Sequence, residues 1–239
     1  MIYILSDIHG NLLRFQSILD QIQLQDSDSL YVLGDVIDRH PDGIHILQQI
    51  MAMPNAKMLL GNHEYMMLRA LGAPCDDHID DGTALPHWYR NGGHVTHEGW
   101  NRLSEDQQAQ IIRYLHALPL SYDLQMGNVR YKLVHGAPAE DFAHNTDPRY
   151  LNPTYFAVWK RWEADQMPAH DYTLIFGHTP TRYYQDCVPM KIWSNDGYIG
   201  IDCGSGYPED KTHPNYPYGR LCCLRLNDGK VFYSQEESL

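Results

Sequence analysis

The sequence predicts an α/β fold on three observations. In the first third of the chain, three apolar runs are each followed by a polar loop and then by apolar residues at helical spacing. The second half carries hairpin signals, paired apolar runs joined by Gly, Asn and Asp. The composition, 43% hydrophobic and 20% charged, is globular rather than fibrous or disordered. At 239 residues the chain is long enough to bury a substantial core, and one domain spanning 1–239 is the starting expectation.

The first unit is the run IYIL at 2–5, a polar turn, and a stretch with Leu12, Phe15, Ile18, Leu19 and Ile22 on one helical face. The second is LYVL at 30–33, the loop GDVIDRHPDG, and then Ile44, Leu47, Ile50 and Met51. The third is KMLL at 57–60, the loop GNHE, and the apolar Met66, Met67 and Leu71. Consecutive strand-loop-helix units imply parallel strands whose carboxyl-terminal loops share one rim, the place where α/β folds bind ligands.

Residues 72–103 have no clear period, and Ser104 with Gln107 forms a capping-box signature for the helix that follows. The stretch at about 72–118 therefore reads as a helical insertion. Beyond Pro119 the pattern turns to β: YDLQM and VRYKLVH flank Gly127-Asn128, and TLIFGH at 173–178 is a buried strand entering a polar loop. Two terminal hairpins, KIWS to YIGID and RLCCLRL to KVFYS, suggest a second sheet.

The formal net charge of −12 argues against a nucleic-acid polymer as partner, since a phosphate backbone is held by lysines and arginines. It leaves room for a small anion, because bound dications locally reverse the sign of an acidic cleft. The first apolar run ends after five residues, too early for a signal peptide or membrane span, so a cytoplasmic location is expected. Five cysteines, Cys75, Cys187, Cys203, Cys222 and Cys223, are odd in number and form no CxxC pair; they read as reduced structural thiols.

Five polar signatures follow apolar strands: Asp7-Ile8-His9-Gly10, Gly34-Asp35, Gly61-Asn62-His63-Glu64, His135-Gly136 and Gly177-His178. A single histidine at a strand end is more often structural than a ligand. Five such loops on one rim would gather carboxylates, an amide and imidazoles without thiolate, a donor set suited to manganese, iron or zinc. Two dications about 3.7 Å apart repel by roughly 18 kcal/mol at an effective dielectric of 20, so shared anionic ligands are required.

The ordered set DIHGN, GDVIDR, GNHE, HG and GHTP, with IDCGSG at 201–206, resembles the calcineurin-like metallophosphoesterases, specifically the phosphoprotein phosphatase branch containing bacterial and phage enzymes. The resemblance implies two mixed β-sheets packed as a sandwich, flanked by helices, with a dinuclear metal site at the sheet rim. It implies two divalent cations, with manganese expected and iron or zinc as alternatives. Asp7 and His9 would bind the first metal, Asp35 would bridge, and Asn62, His135 and His178 would complete the second. His63 would be the general acid oriented by Asp38, and Arg39 would grip the phosphate, with Arg161 as the second arginine. The implied reaction is in-line attack of a metal-bridging hydroxide on a phosphomonoester, with phosphoserine or phosphothreonine in a protein, or a small phosphoester, as substrate. A dinucleoside polyphosphate is the alternative.

This sequence departs from the branch at Ser6 and His40, where glycine is usual. Trp88 with Asn91-Gly92-Gly93 resembles a segment of the bacterial members and reads as packing and a turn. The loop at 206–219 would by resemblance overhang the site. His78, His87, His94 and His97 lack ligand spacing.

Overall fold

The computed structural model describes residues 1–73, 82–208, 212–213 and 218–235. Cys75, His78 and part of the 206–219 loop lie outside the described residues. The apolar runs become strands β1 (Ile2–Leu5), β2 (Ser29–Val32) and β3 (Ala56–Met58), alternating with helices α1 (Leu12–Ile22), α2 (Gly43–Ala52) and α3 (Asn62–Ala70). β1, β2 and β3 are parallel neighbours, with Ile2 opposite Ser29 and Leu30 opposite Ala56.

Three helices follow, α4 (Ala84–Arg90), α5 (His94–Trp100) and α6 (Glu105–His116). The capping box at α6 is present: the Gln107 N–H donates to Ser104 Oγ and the Ser104 N–H to Gln107 Oε1. The second half contributes β4 (Ser121–Met126), β5 (Val129–Val134), helix α7 (Pro153–Trp159), β6 (Thr173–Phe176), β7 (Trp193–Asn195), β8 (Tyr198–Gly200), β9 (Cys222–Arg225) and β10 (Lys230–Tyr233).

Two five-stranded mixed sheets result, in the orders β10-β9-β1-β2-β3 and β4-β5-β6-β8-β7. The terminal hairpins do not build a second sheet together, as the sequence suggested. β7–β8 extends the sheet of β4–β6, whereas β9–β10 runs antiparallel beside β1 in the first sheet. Turn chemistry marks a hairpin but carries no record of which distant edge it will join.

The strand period of two sorts residues between cores. Tyr3, Leu5, Leu30 and Val32 face Phe15, Ile18 and Leu47 of the helices. Ile4, Tyr31 and Leu33 point the other way, against Leu133, Ile175, Cys203, Cys222 and Leu224 in the layer between the sheets. A third cluster, Val134, Leu174, Phe176, Trp193 and Tyr198, covers the outer face of the second sheet. The free thiols of Cys203, Cys222 and Cys223 are buried and that of Cys187 is half-buried. Among the described residues no helix is long and apolar enough to cross a membrane.

Phe15 is fully buried against β1 and β2. Phe15→Ala is expected to cost about 3–5 kcal/mol of unfolding free energy, read from the shift of a urea transition. A loss below about 1 kcal/mol would contradict this account of the helix-side core.

Candidate metal centre

The parallel strands of both sheets send their carboxyl ends to one rim. Asp7 follows β1, Asp35 follows β2, Asn62 opens α3 after β3, His135 follows β5, His178 follows β6 and Asp202 follows β8. Cross-sheet hydrogen bonds join these loops: the His178 N–H donates to Asp7 Oδ2 at 3.0 Å, and His135 Nδ1 lies 2.6 Å from the Leu33 carbonyl. All six predicted metal ligands are buried, as are His63 and Asp38.

The backbone bends sharply to present them. Seven non-glycine residues among those described adopt positive φ, and six of them are Asp7, His9, Asp35, Asp38, Arg39 and His178. Each such residue costs on the order of 1–3 kcal/mol, so strain is concentrated where the loops converge. Neighbouring glycines make room. A Cβ on Gly61 would strike the Asp35 carboxylate, and one on Gly177 would strike Ser6 and Asp7. Ser6, a departure from the family pattern, donates its hydroxyl to Asp7 Oδ2 at 2.5 Å.

Asp35 sits at the middle. Its Oδ2 is 3.8 Å from both His9 Nε2 and His63 Nε2, and its Oδ1 is 3.4 Å from His135 Nε2. Two buried donor groups that could each hold a metal ion, His9-Asp35-His63 and Asp35-His135-His178, share this one residue. Asp7 adjoins the first, with Oδ1 3.8 Å from His9 Nε2, and Asn62 Oδ1 adjoins the second, 2.9 Å from His135 Nε2. The first donor group thus takes in His63, which the sequence assigned to proton transfer.

The protonation pattern fits a cation. Burial pushes the Asp7 and Asp202 carboxyls up, and each also feels a neighbouring carboxylate. Burial opposes ionisation of Asp35 too, but the facing imidazoles of His135 and His63 outweigh it and hold its carboxyl well below the usual range. His9 and His178 are held neutral by burial, reinforced by Arg39 beside one and His135 and Arg161 beside the other. His9 Nδ1 faces the Ile37 carbonyl, so its Nε2 lone pair is left toward Asp7 and Asp35. His135 Nε2 faces oxygens of Asn62 and Asp35, a place suited to a positive centre. Imidazoles, two of them held neutral, acidic oxygens and no thiolate match a hard or borderline dication.

His63 Nδ1 is 2.6 Å from Asp38 Oδ2, while its Nε2 is 3.3 Å from Arg39 Nη2. Arg161 Nε donates to His178 Nε2 at 3.3 Å, so both predicted arginines reach the cluster. Gly206 of the C-terminal loop packs against Arg39 and His9. Among the histidines set aside, His87 stacks on Trp159 and His97 Nδ1 lies beside the Tyr89 hydroxyl, neither within the cluster.

Sequence reasoning missed Glu64 and Asp202. Glu64 is fully buried and accepts from the N–H groups of Asp35 (2.9 Å), Val36 (2.8 Å) and Gly61 (3.1 Å), tying the β2 loop to the start of α3. Burial, then the charge of Asp35, push its carboxyl up to about 7. Its position three residues after Gly61 was the available signal, since an acid in a helix's first turn can reach back to the cap. Asp202 lies inside IDCGSG, where nothing local separates a site carboxylate from a turn residue.

A family model described as calcineurin-like phosphoesterase matches residues 1–202. The symmetrical bis(5'-nucleosyl)-tetraphosphatase of Proteus mirabilis is 31% identical over 99% of this chain and 84% of its own length. Serine/threonine-protein phosphatase 2 of Escherichia coli K12 is 30% identical over 56% of this chain and 57% of its own. The match to the symmetrical bis(5'-nucleosyl)-tetraphosphatase of Erwinia tasmaniensis, 38% identical, spans only 25% of that relative's length. The crystal structure of a metallophosphoesterase from Sphaerobacter thermophilus shares the fold, with a TM-score of 0.56 at 18% identity over 99% of this chain and 88% of that one.

Burial disfavours the His135 imidazolium, but Asp35 and Asp7 outweigh it and push its pKa up to about 9. At pH 7 the metal-free protein therefore carries a proton there that a ligated metal must displace. Calorimetry in two buffers of different ionisation enthalpy is expected to show release of about one proton as the Asp35-His135-His178 group fills, with affinity there rising toward pH 9 and flattening above. Heats independent of buffer would contradict this.

Proposed function

The chain belongs to the calcineurin-like phosphoesterase family, and we propose that it is a metal-dependent phosphatase hydrolysing phosphomonoesters, with phosphoserine and phosphothreonine in proteins as its substrates. Asp7 and His9 would hold one dication and Asn62, His135 and His178 the other, with Asp35 available to both. Manganese is the proposed metal, and iron or zinc suits the same donors. Bound there, the two dications supply positive charge to the phosphoryl group and a nucleophile from water at neutral pH.

The chain's own groups do the rest. Arg39 and Arg161 grip phosphoryl oxygens, each guanidinium matching two of them at once. His63 delivers a proton from Nε2 to the leaving oxygen, while Asp38 holds Nδ1. The observation that carries the reading is this dyad: a 2.6 Å contact between His63 Nδ1 and a fully buried carboxylate, beside Arg39 and the donor cluster. An alkoxide leaving from serine or threonine is strongly basic and needs such an acid. The net charge of −12 supports small phosphoesters and phosphoproteins over nucleic-acid polymers as partners.

The second reading, hydrolysis of a dinucleoside polyphosphate, is favoured by the length-wide similarity to the Proteus mirabilis enzyme. The metal ligands serve both reactions equally. Protein stripped with chelator and restored with manganese is expected to release orthophosphate from a phosphoserine peptide. Nucleotides released from diadenosine tetraphosphate, with no orthophosphate from the peptide, would establish the second reading instead.

His63→Gln is expected to keep both metals and to lose about 10²–10⁴-fold in kcat on alkyl phosphates, with a smaller loss on aryl phosphates that leave easily. Metal analysis accompanies the kinetics. Loss of one metal would make His63 a ligand, as its place in the donor group also allows.

A further inference from the structure

We propose that Trp88 is a positioning residue for the His63–Asp38 pair, acting through its indole N–H rather than only through its bulk; this rests on the phosphatase reading above. Trp88 is fully buried on α4, and its Nε1–H donates to Asp38 Oδ2 at 2.8 Å, the same oxygen that meets His63 Nδ1. The other oxygen, Asp38 Oδ1, is buried and has no hydrogen-bond partner among the described residues. The carboxylate is therefore fixed from one side by two N–H groups. Removing one leaves rotation about its last torsion opposed by His63 alone.

The surrounding segment holds the same loop by its backbone. The Asp38 N–H donates to Thr96 Oγ1 of α5 at 2.9 Å, and the Arg39 N–H donates to the Gly92 carbonyl at 3.1 Å. Asp38 and Arg39 are consecutive non-glycine residues at φ 74° and 70°, a conformation that needs external support. Gly93 lies flat under the indole, where a Cβ would strike the ring, and a Cβ on Gly92 would come within 3.0–3.2 Å of Arg39. Packing and a turn, the sequence-level reading of Trp88 and Asn91-Gly92-Gly93, describe the shape of this segment. The hydrogen bonds say what the shape is for: they aim the proton donor and the phosphate clamp.

Trp88→Phe keeps the buried ring and removes the N–H. In manganese-restored enzyme, its kcat on an alkyl phosphate is expected to fall about tenfold, part of the 10²–10⁴ that proton transfer supplies, with KM within about twofold. On p-nitrophenyl phosphate, whose leaving group needs little help, the fall is expected to be less than about threefold. Adding the change to His63→Gln is expected to cause no further loss, because both act on one proton. The ring ¹⁵N shifts of His63, read by NMR on the chelator-stripped protein because manganese would broaden them, are expected to differ between wild type and Trp88→Phe. Equal slowing on both substrates, or unchanged kcat with unchanged His63 shifts, would overturn the proposal. A wild type inactive on all phosphate esters would overturn the functional reading, and the NMR comparison would still decide whether Trp88 orients His63.

Discussion

Asp7, Asp35 and Asp202 are buried together at the rim where loops from two sheets meet. Carboxylates brought this close out of water repel, and each resists ionisation unless positive groups or N–H donors answer it. The chain answers with the Ser6 hydroxyl and the His178 amide on Asp7, the His63 amide on Asp35, and the Gly204 amide on Asp202. Three imidazoles then crowd Asp35 from different sides. His135, pushed up to about 9, is a counter-charge to Asp35, but His9 stays neutral, and one imidazolium among three buried carboxylates leaves a cluster that makes physical sense as a cradle for cations rather than as a structural network.

That demand explains where the backbone is strained. Only a chain that turns sharply just past the strand ends can aim short Asp and His side chains inward from opposite sheets. Six of the seven left-handed non-glycine residues among those described lie in these loops. The supports lie one layer further out. Glu64 binds successive N–H groups of the Asp35 loop, and the α4–α5 segment holds Asp38 and Arg39. Burial and the charge of Asp35 push Glu64 up to about 7, and three backbone N–H groups hold its two oxygens, so Glu64 acts as a rigid strut, not as a solvated first-turn acid.

What the sequence disclosed follows the range of each interaction. Strands β1–β3 and helices α1–α3 were legible because their alternation and helical spacing are local. The metal-donor loops were legible because each sits directly after its strand. Arg161, picked out by its flanking segment, lies 3.3 Å from His178 Nε2. The destination of the terminal hairpins was not, because β9 meets β1 across more than two hundred residues. Trp88 could be seen as buried but not as bonded, since its partner lies fifty residues away and indole packing and indole donation look alike in a sequence. Asp202 was hidden for the same reason: its neighbours in space, Asp7, Asp35 and Arg39, come from other loops.

The charge of the whole chain bears on substrate choice in a way the site alone does not. With 30 acidic residues against 18 lysines and arginines, the outer field repels anions even though the cleft attracts a phosphoryl group once cations are in place. A dinucleoside polyphosphate brings several negative charges through that field, and most of them would have to be answered by groups other than Arg39 and Arg161. A phosphorylated peptide brings its charge on one group, and flanking basic residues would be drawn to the acidic surface. Proton delivery bears on the same choice: a phosphate leaving group departs with little help, so a buried His63–Asp38 pair held by the Trp88 bond would matter most for an alkoxide that cannot leave without a proton.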